Sequence, residues 1–229
     1  MLFGPSVIIA LFAVATALPI DHDAMTQSDV NNALDSMISG DANGAAPGDI
    51  VLDYQNEASH SHFDHDNAKD PFFKSISPAL LAKPTYVAFN ALTATYTTPS
   101  IDAADPNTPA RNTAIDAWFA AIKTTVPFQS MWTYLKTQKI ASSDYPTFVT
   151  ALKALWFTPY GTGDAGFKEV FSGAVKGTNV VGFANWVQFY QLEQTKALNY
   201  HGWFNRDKVC FDYDIFSSFK FTNKYYFMI

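Results

Sequence analysis

Phe167-Lys168-Glu169-Val170-Phe171-Ser172-Gly173, followed by Gly182-Phe183-Ala184-Asn185-Trp186-Val187-Gln188-Phe189-Tyr190, marks where this chain changes character. Upstream, apolar residues recur at three- and four-residue spacing, the period of helices. After Pro159 the texture changes. Gly161, Gly163 and Gly166 make a flexible loop, and Phe167–Gly173 and Val180–Phe183 alternate as short strands do. Ala184–Gln194 returns to helical spacing through Trp186, Phe189, Tyr190 and Glu193, a pattern that places the aromatics in a core. From Val209 onward aromatic and polar residues alternate again. Helices first and mixed strands later predict an α+β fold, with a helical part over about 26–158 and a strand-rich part over about 159–229.

The helical part punctuates itself. Thr26-Gln27-Ser28-Asp29 reads as a capping box ahead of Val30, Ala33, Leu34, Met37 and Ile38, and Gly40 ends that helix. Residues 41–75 are polar and turn-rich, with Ile50-Val51-Leu52 the one apolar run, and are expected to wrap the domain as an ordered loop. Ser77-Pro78 opens the next helix, which should reset at Pro84 and run towards Tyr96. Residues 97–109 form a Pro/Asp/Asn loop. Asn112 is expected to cap a helix through Thr124, a further helix follows Pro127, and Ser143-Asp144-Tyr145-Pro146 opens another that carries Phe148, Leu152, Leu155 and Trp156.

The 229 residues are 48% hydrophobic and 16% aromatic, which supports a packed domain and excludes a disordered chain. Charge is unevenly spread: 11 acidic against two basic side chains over 18–82, and a net +3 over 83–229. This is not the basic excess of a dedicated nucleic-acid binder. The apolar run Val7 to Ala17, about 11 residues, is too short to span a membrane and reads as a secretory signal peptide over 1–17, followed by a leader over 18–25 and a domain over 26–229. A secreted, monomeric protein without a membrane span is expected. Cys210 is the single cysteine, so no disulfide can form within the chain.

The quoted stretch and its surroundings resemble the EndoU (XendoU-type) family of poly(U)-specific endoribonucleases. The resemblance runs from about Met25 to the end, through Gly48–Gln55, Pro71-Phe72-Phe73, Lys83–Phe89, Leu155-Trp156-Phe157 and Leu198–Trp203. It implies an α+β scaffold, single-stranded uridine-rich RNA as partner, and Mn²⁺ as an ion to which activity responds. It also implies a reaction in which a uridine 2′-hydroxyl attacks the adjacent phosphorus and leaves a 2′,3′-cyclic phosphate. That chemistry needs a base, an acid and a cation, roles that the family gives to two histidines and a lysine. The first family motif reads Phe-Glu-His-Val-Phe-x-Gly-Glu and the second Gly-Phe-His-Asn-Trp. Here the resemblance puts the histidine positions on Glu169 and Ala184, the acidic positions on Lys168 and Ala174, and the lysine near Lys224. The family's usual end lies beyond Ile229, so a C-terminally incomplete domain is expected, with the strand that would pair beside Phe219-Lys220-Phe221 missing.

Three functional readings follow. The first is a homologue with impaired catalysis that binds RNA or another partner. The second is a Mn²⁺-dependent endoribonuclease with a rearranged site, and the third a truncated gene product without function. A glutamate at 169 can accept a proton but, ionised at neutral pH, is a poor donor. Elsewhere, His60, His62 and His65 lie close enough in sequence to suggest metal ligands, but in a polar loop they read as solvated residues, and no metal site is assigned. His201 reads as a surface or packing histidine.

Overall fold

The computed structural model describes residues 26–58, 65–97, 100–161, 163–176, 179–181, 185–207, 214–221 and 225–228. Helix α1 (Gln27–Ser39) starts where its capping box places it. Thr26 accepts from the Asp29 amide while the Asp29 carboxylate turns back to the Thr26 amide, which satisfies amides that a helix start leaves without partners. The Pro84 reset is also observed, as a short α2 (Pro78–Leu81) followed by α3 (Pro84–Thr93).

Helices α4 (Pro109–Ile122), α5 (Val126–Thr137) and α6 (Tyr145–Phe157) share one grammar. A Thr108, Thr125 or Asp144 side chain caps the first turn and a proline occupies its start. This corrects the expectation of an Asn112 cap: Thr108 accepts from the Arg111 amide, and Asn112 lies inside the helix, its own amide bonded to the Thr108 carbonyl. A proline whose missing N–H costs nothing at the first turn outranked an asparagine three residues later.

The expected loop over 41–75 contains a strand pair. β1 (Ile50–Leu52) runs antiparallel to β2 (Phe73–Ile76). The amide of Asp53 donates to the Phe72 carbonyl at 2.8 Å and that of Ser77 to the Asp49 carbonyl at 2.7 Å. Three- and four-residue strands carry too little periodicity to stand out in sequence.

The second half is built differently. Lys168–Ser172 is a π-helical turn, not the strand its alternation suggests. Phe167, Lys168, Phe171 and Ser172 point inward, at the i, i+1, i+4, i+5 spacing of a helical face rather than period two. Gly173, at φ 75°, then turns the chain into β3 (Ala174–Lys176), which pairs with β4 (Asn179–Val181). Helix α7 (Trp186–Gln194) begins at Asn185. Strands β5 (Leu198–Asp207), β6 (Asp214–Phe221) and β7 (Tyr225–Met228) form an antiparallel sheet in the order β5-β6-β7.

One sequence expectation changes here. Strand begins at Leu198, well before Val209. β6 is paired on both sides, with β5 and with β7. The other edge of β5 is covered by the acidic segment: the Ala58 amide donates to the Trp203 carbonyl at 2.7 Å, and the Asn67 amide to the His201 carbonyl at 3.2 Å. Gly202, at φ 116°, allows this, since a Cβ there would lie 2.5 Å from the Asn56 carbonyl oxygen. Covering an edge in this way removes a template for intermolecular pairing.

One core joins both halves. Met37, Leu80, Leu92, Trp118, Met131 and Leu152 meet Phe167, Phe171, Trp186 and Tyr200 in a single apolar cluster. Among the described residues no helix is long and apolar enough to cross a membrane.

Candidate functional site

The site segment hangs from the end of α6. Helix α6 delivers Trp156 and Phe157, the chain loops through Tyr160–Ala165, and Phe167 re-enters the core with no exposed surface. Its ring stacks on Phe157 at 4.8 Å and Tyr96 at 5.9 Å and meets Trp118 and Phe171 at 5.1 and 4.9 Å. Phe167 is therefore the anchor of the π-helical turn. Burying one such ring contributes about 1.5–3 kcal/mol, and wide π-type turns recur at functional positions.

Beyond the anchor, the two neighbouring charges part company. Glu169 is exposed. Lys168 is 1% exposed, and its ammonium lies 2.7 Å from Asp105 Oδ2, 2.5 Å from Asp164 Oδ2 and 3.1 Å from the Ser100 carbonyl. Asp105 Oδ1 in turn accepts from the Thr97 amide at 2.8 Å and sits 3.2 Å from Arg111 Nη2. The Arg111 guanidinium lies over the Tyr96 ring, 4.4 Å from its centroid, and donates to the Thr95 carbonyl. Two cations thus balance two carboxylates in a buried pocket. Tyr96, wedged between Arg111 and Phe167, has its phenol pushed well above the usual range. Burial is the main cause, Arg111 opposes it, and Asp164 and Asp105 add to it.

In the second motif, Asn185 Oδ1 accepts from the amides of Val187 and Gln188, so this asparagine is the cap of α7. Trp186 and Phe189 are buried, and Tyr190 packs edge-on to Phe73 at 5.7 Å, so the aromatics serve the core as their spacing predicts. Glu193 ties α7 to β2: Oε1 accepts from the Phe72 amide at 2.6 Å and Oε2 from the Phe73 amide at 3.0 Å. Burial raises its carboxyl above the ordinary range, and the two amides partly oppose that.

Of the residues singled out from sequence, Ala184, Lys224, His60, His62 and Cys210 lie outside the described residues. His65 is exposed. His201 is buried, with its backbone in β5. Among the described residues no group of three or more His, Cys, Asp or Glu side chains could hold a metal ion. The sequence reading missed Asp105, Asp164 and Arg111 altogether. Only the i, i+4 spacing of Asp164 and Lys168 hinted at part of this network.

The helical half, the π-helical turn behind a phenylalanine anchor and the antiparallel sheet define an α+β fold of the XendoU type. A solved protein that superposes on this chain, "The structure of XendoU: a splicing independent snoRNA processing endoribonuclease", matches with a TM-score of 0.73 at 22% identity, over 92% of this chain and 77% of that one. The model of the family Endoribonuclease XendoU matches residues 29–227, and the chain belongs to that family. It is 31% identical over 198 residues to the uridylate-specific endoribonuclease of Mus musculus and 32% identical over 186 residues to that of Homo sapiens. Each match covers 78% of this chain and 45% of the relative, so the chain spans a little under half the length of those curated relatives. The uridylate-specific endoribonuclease C of Xenopus laevis is 31% identical over 191 residues, with 60% of its length covered.

Proposed function

We propose that this protein is a secreted homologue of the uridylate-specific endoribonucleases that recognises uridine-containing single-stranded RNA and cleaves it far more slowly than its relatives. The observation that carries this reading is the make-up of the π-helical turn. Its only exposed ionisable side chain is Glu169, at the position where the resemblance expects a histidine, while Lys168 beside it is buried and paired. In-line attack by a 2′-hydroxyl requires a group to take its proton and a group to protonate the departing 5′-oxygen. The Glu169 carboxylate can do the first. The second falls to the position of Ala184, whose methyl group transfers no proton.

Manganese, which the family resemblance implies, does not fit the described residues. Where the first motif would offer an acidic side chain, Lys168 puts an ammonium in contact with Asp105 and Asp164. Those carboxylates are committed to a cation already, and no step is assigned to the metal.

The test is a gel assay of the purified chain on a uridine-containing RNA, with an intact family member as control and anisotropy to follow binding. Each acid–base residue contributes about 10²–10⁴-fold. The expected result is salt-dependent binding with cleavage slower than the control by about 10⁴ or more. Cleavage after uridine at the control's rate, leaving cyclic phosphate ends, would establish the rearranged-site enzyme instead. A folded sample that binds no RNA would overturn both readings.

A further inference from the structure

The motif lysine invites an electrostatic role, since a cation beside a scissile phosphate stabilises the charge that develops there. The geometry assigns it another. We infer that Lys168 is a positioning residue, the lock that holds the site segment in place and sets where Glu169 is presented, and that it does not touch the RNA. This rests on the reading that the π-helical turn carries the site.

An ammonium has three hydrogen-bond donors. Two are donated to Asp164 Oδ2 and the Ser100 carbonyl, Asp105 Oδ2 faces the same ammonium as an ion-pair partner at 2.7 Å, and almost none of the side chain reaches solvent. A lysine so enclosed is out of reach of a phosphate. What it does have is connectivity. Asp105 belongs to the 97–108 loop and is tied to Thr97 and to Arg111 on α4. Ser100 belongs to the same loop. Asp164 fixes the turn before the site through its amide to the Ile101 carbonyl at 2.9 Å and through Ala165, whose amide donates to Asp164 Oδ1. One side chain therefore staples two loops to the turn whose next residue is Glu169.

The chemistry also explains why the residue at 168 can be a lysine here. Lys168 and Arg111 balance Asp105 and Asp164, and a buried ion cluster is tolerated only when charge-balanced and hydrogen-bonded. A glutamate at 168 would set three carboxylates against one guanidinium. The departure from the motif's acidic residue is thus matched by this chain's own carboxylates.

The test uses three forms of the full chain: wild type, K168M and D164N/K168M. K168M leaves an excess buried carboxylate and should lose thermal stability by about 4 °C or more. D164N/K168M restores charge balance around the remaining Asp105–Arg111 pair and should recover most of that loss. In this folded double variant, amide hydrogen exchange over residues 163–173 should still accelerate by about tenfold or more while α4–α6 amides keep their wild-type rates. Unchanged exchange there, or acceleration spread evenly over the chain, would overturn the positioning role. A double variant no more stable than K168M would overturn the charge-balance argument. On a uridine oligomer, the slope of log Kd against log salt should be the same for wild type and double variant, because a lost phosphate contact lowers it by about 0.7 on a single strand. A slope reduced by that amount would make Lys168 an RNA contact. If no RNA binds at all, the proposed function fails, and the exchange experiment still decides the role of Lys168.

Discussion

The helical half and the site segment are both buried, yet opposite forces hold them. Around α4, α5 and α6 the contacts are apolar: Trp118 against Phe119, Phe119 against Phe128, Phe128 against Phe148. Around the π-helical turn, the buried rings of Phe167 and Phe171 share the work with four buried charges. Apolar contact is non-directional and tolerates volume-conserving change. A buried ion cluster tolerates no change in the number of its charges. Sequence drift in the two regions therefore follows different rules. The helical half accepts exchanges among apolar residues, whereas the site segment accepts a new charge only with its counter-charge. Lys168 with Asp105 and Asp164 is that case.

The largest test of the contrast concerns chemistry. E169H/A184H restores both expected proton-transfer groups without touching the ion cluster. If the scaffold still holds RNA in line, cleavage of a uridine-containing substrate should rise by about 10² or more over the parent chain, read as cyclic-phosphate product on a gel. No gain from a folded, RNA-binding double variant would mean that the frame as well as the residues has departed from a catalytic geometry.

Next in size is F167A. Phe167 belongs to both regions, and its loss should cost about 3–5 kcal/mol in urea unfolding, as for other fully buried aromatics. A cost below about 1 kcal/mol would show that the charges, not the ring, hold the turn.

Glu193 sharpens the comparison on the polar side. Its two oxygens each accept a different backbone amide. In E193Q one of those amides faces an NH₂ group, and the cost should be about 1–3 kcal/mol although a buried charge has been removed. The pH dependence has a definite sign. Burial raises the folded-state pKa of Glu193 above 4.5, so the native chain holds that proton more tightly than the unfolded one. The stabilisation is complete below the unfolded value and is lost as pH rises through the folded one. Subtracting the E193Q stability curve from that of the parent should show this decline, and a difference curve rising with pH would contradict the burial argument.

The smallest effect is expected at the β5 edge. G202A puts a Cβ 2.5 Å from the Asn56 carbonyl oxygen at φ 116° and should cost more than about 1 kcal/mol. Its visible consequence is concentration-dependent association as the covered edge opens, measured by light scattering.

Much of the scaffold was legible in the chain because its signals are local. The Thr26–Asp29 capping box, the Pro84 reset, the Asp144-Tyr145-Pro146 start and the inward face of Trp186 and Phe189 need only a few neighbouring residues to be read, and the structure bears them out. The misreadings share the opposite property. The β1–β2 pair joins short segments more than 20 residues apart in sequence, and Thr108 outcompeted Asn112 because a proline followed it. Phe167–Ser172 alternates in composition while its burial follows a helical face.

Family, α+β order and the residue types at the site can be read along the chain, since each resides in a contiguous motif. That two adjacent charges have unrelated duties, with Glu169 left at the surface and Lys168 enclosed, emerges only once the chain is folded. The cause is distance along the chain. Asp105 lies 63 residues before Lys168, and only folding brings its carboxylate to the ammonium, where desolvation makes the pairing obligatory.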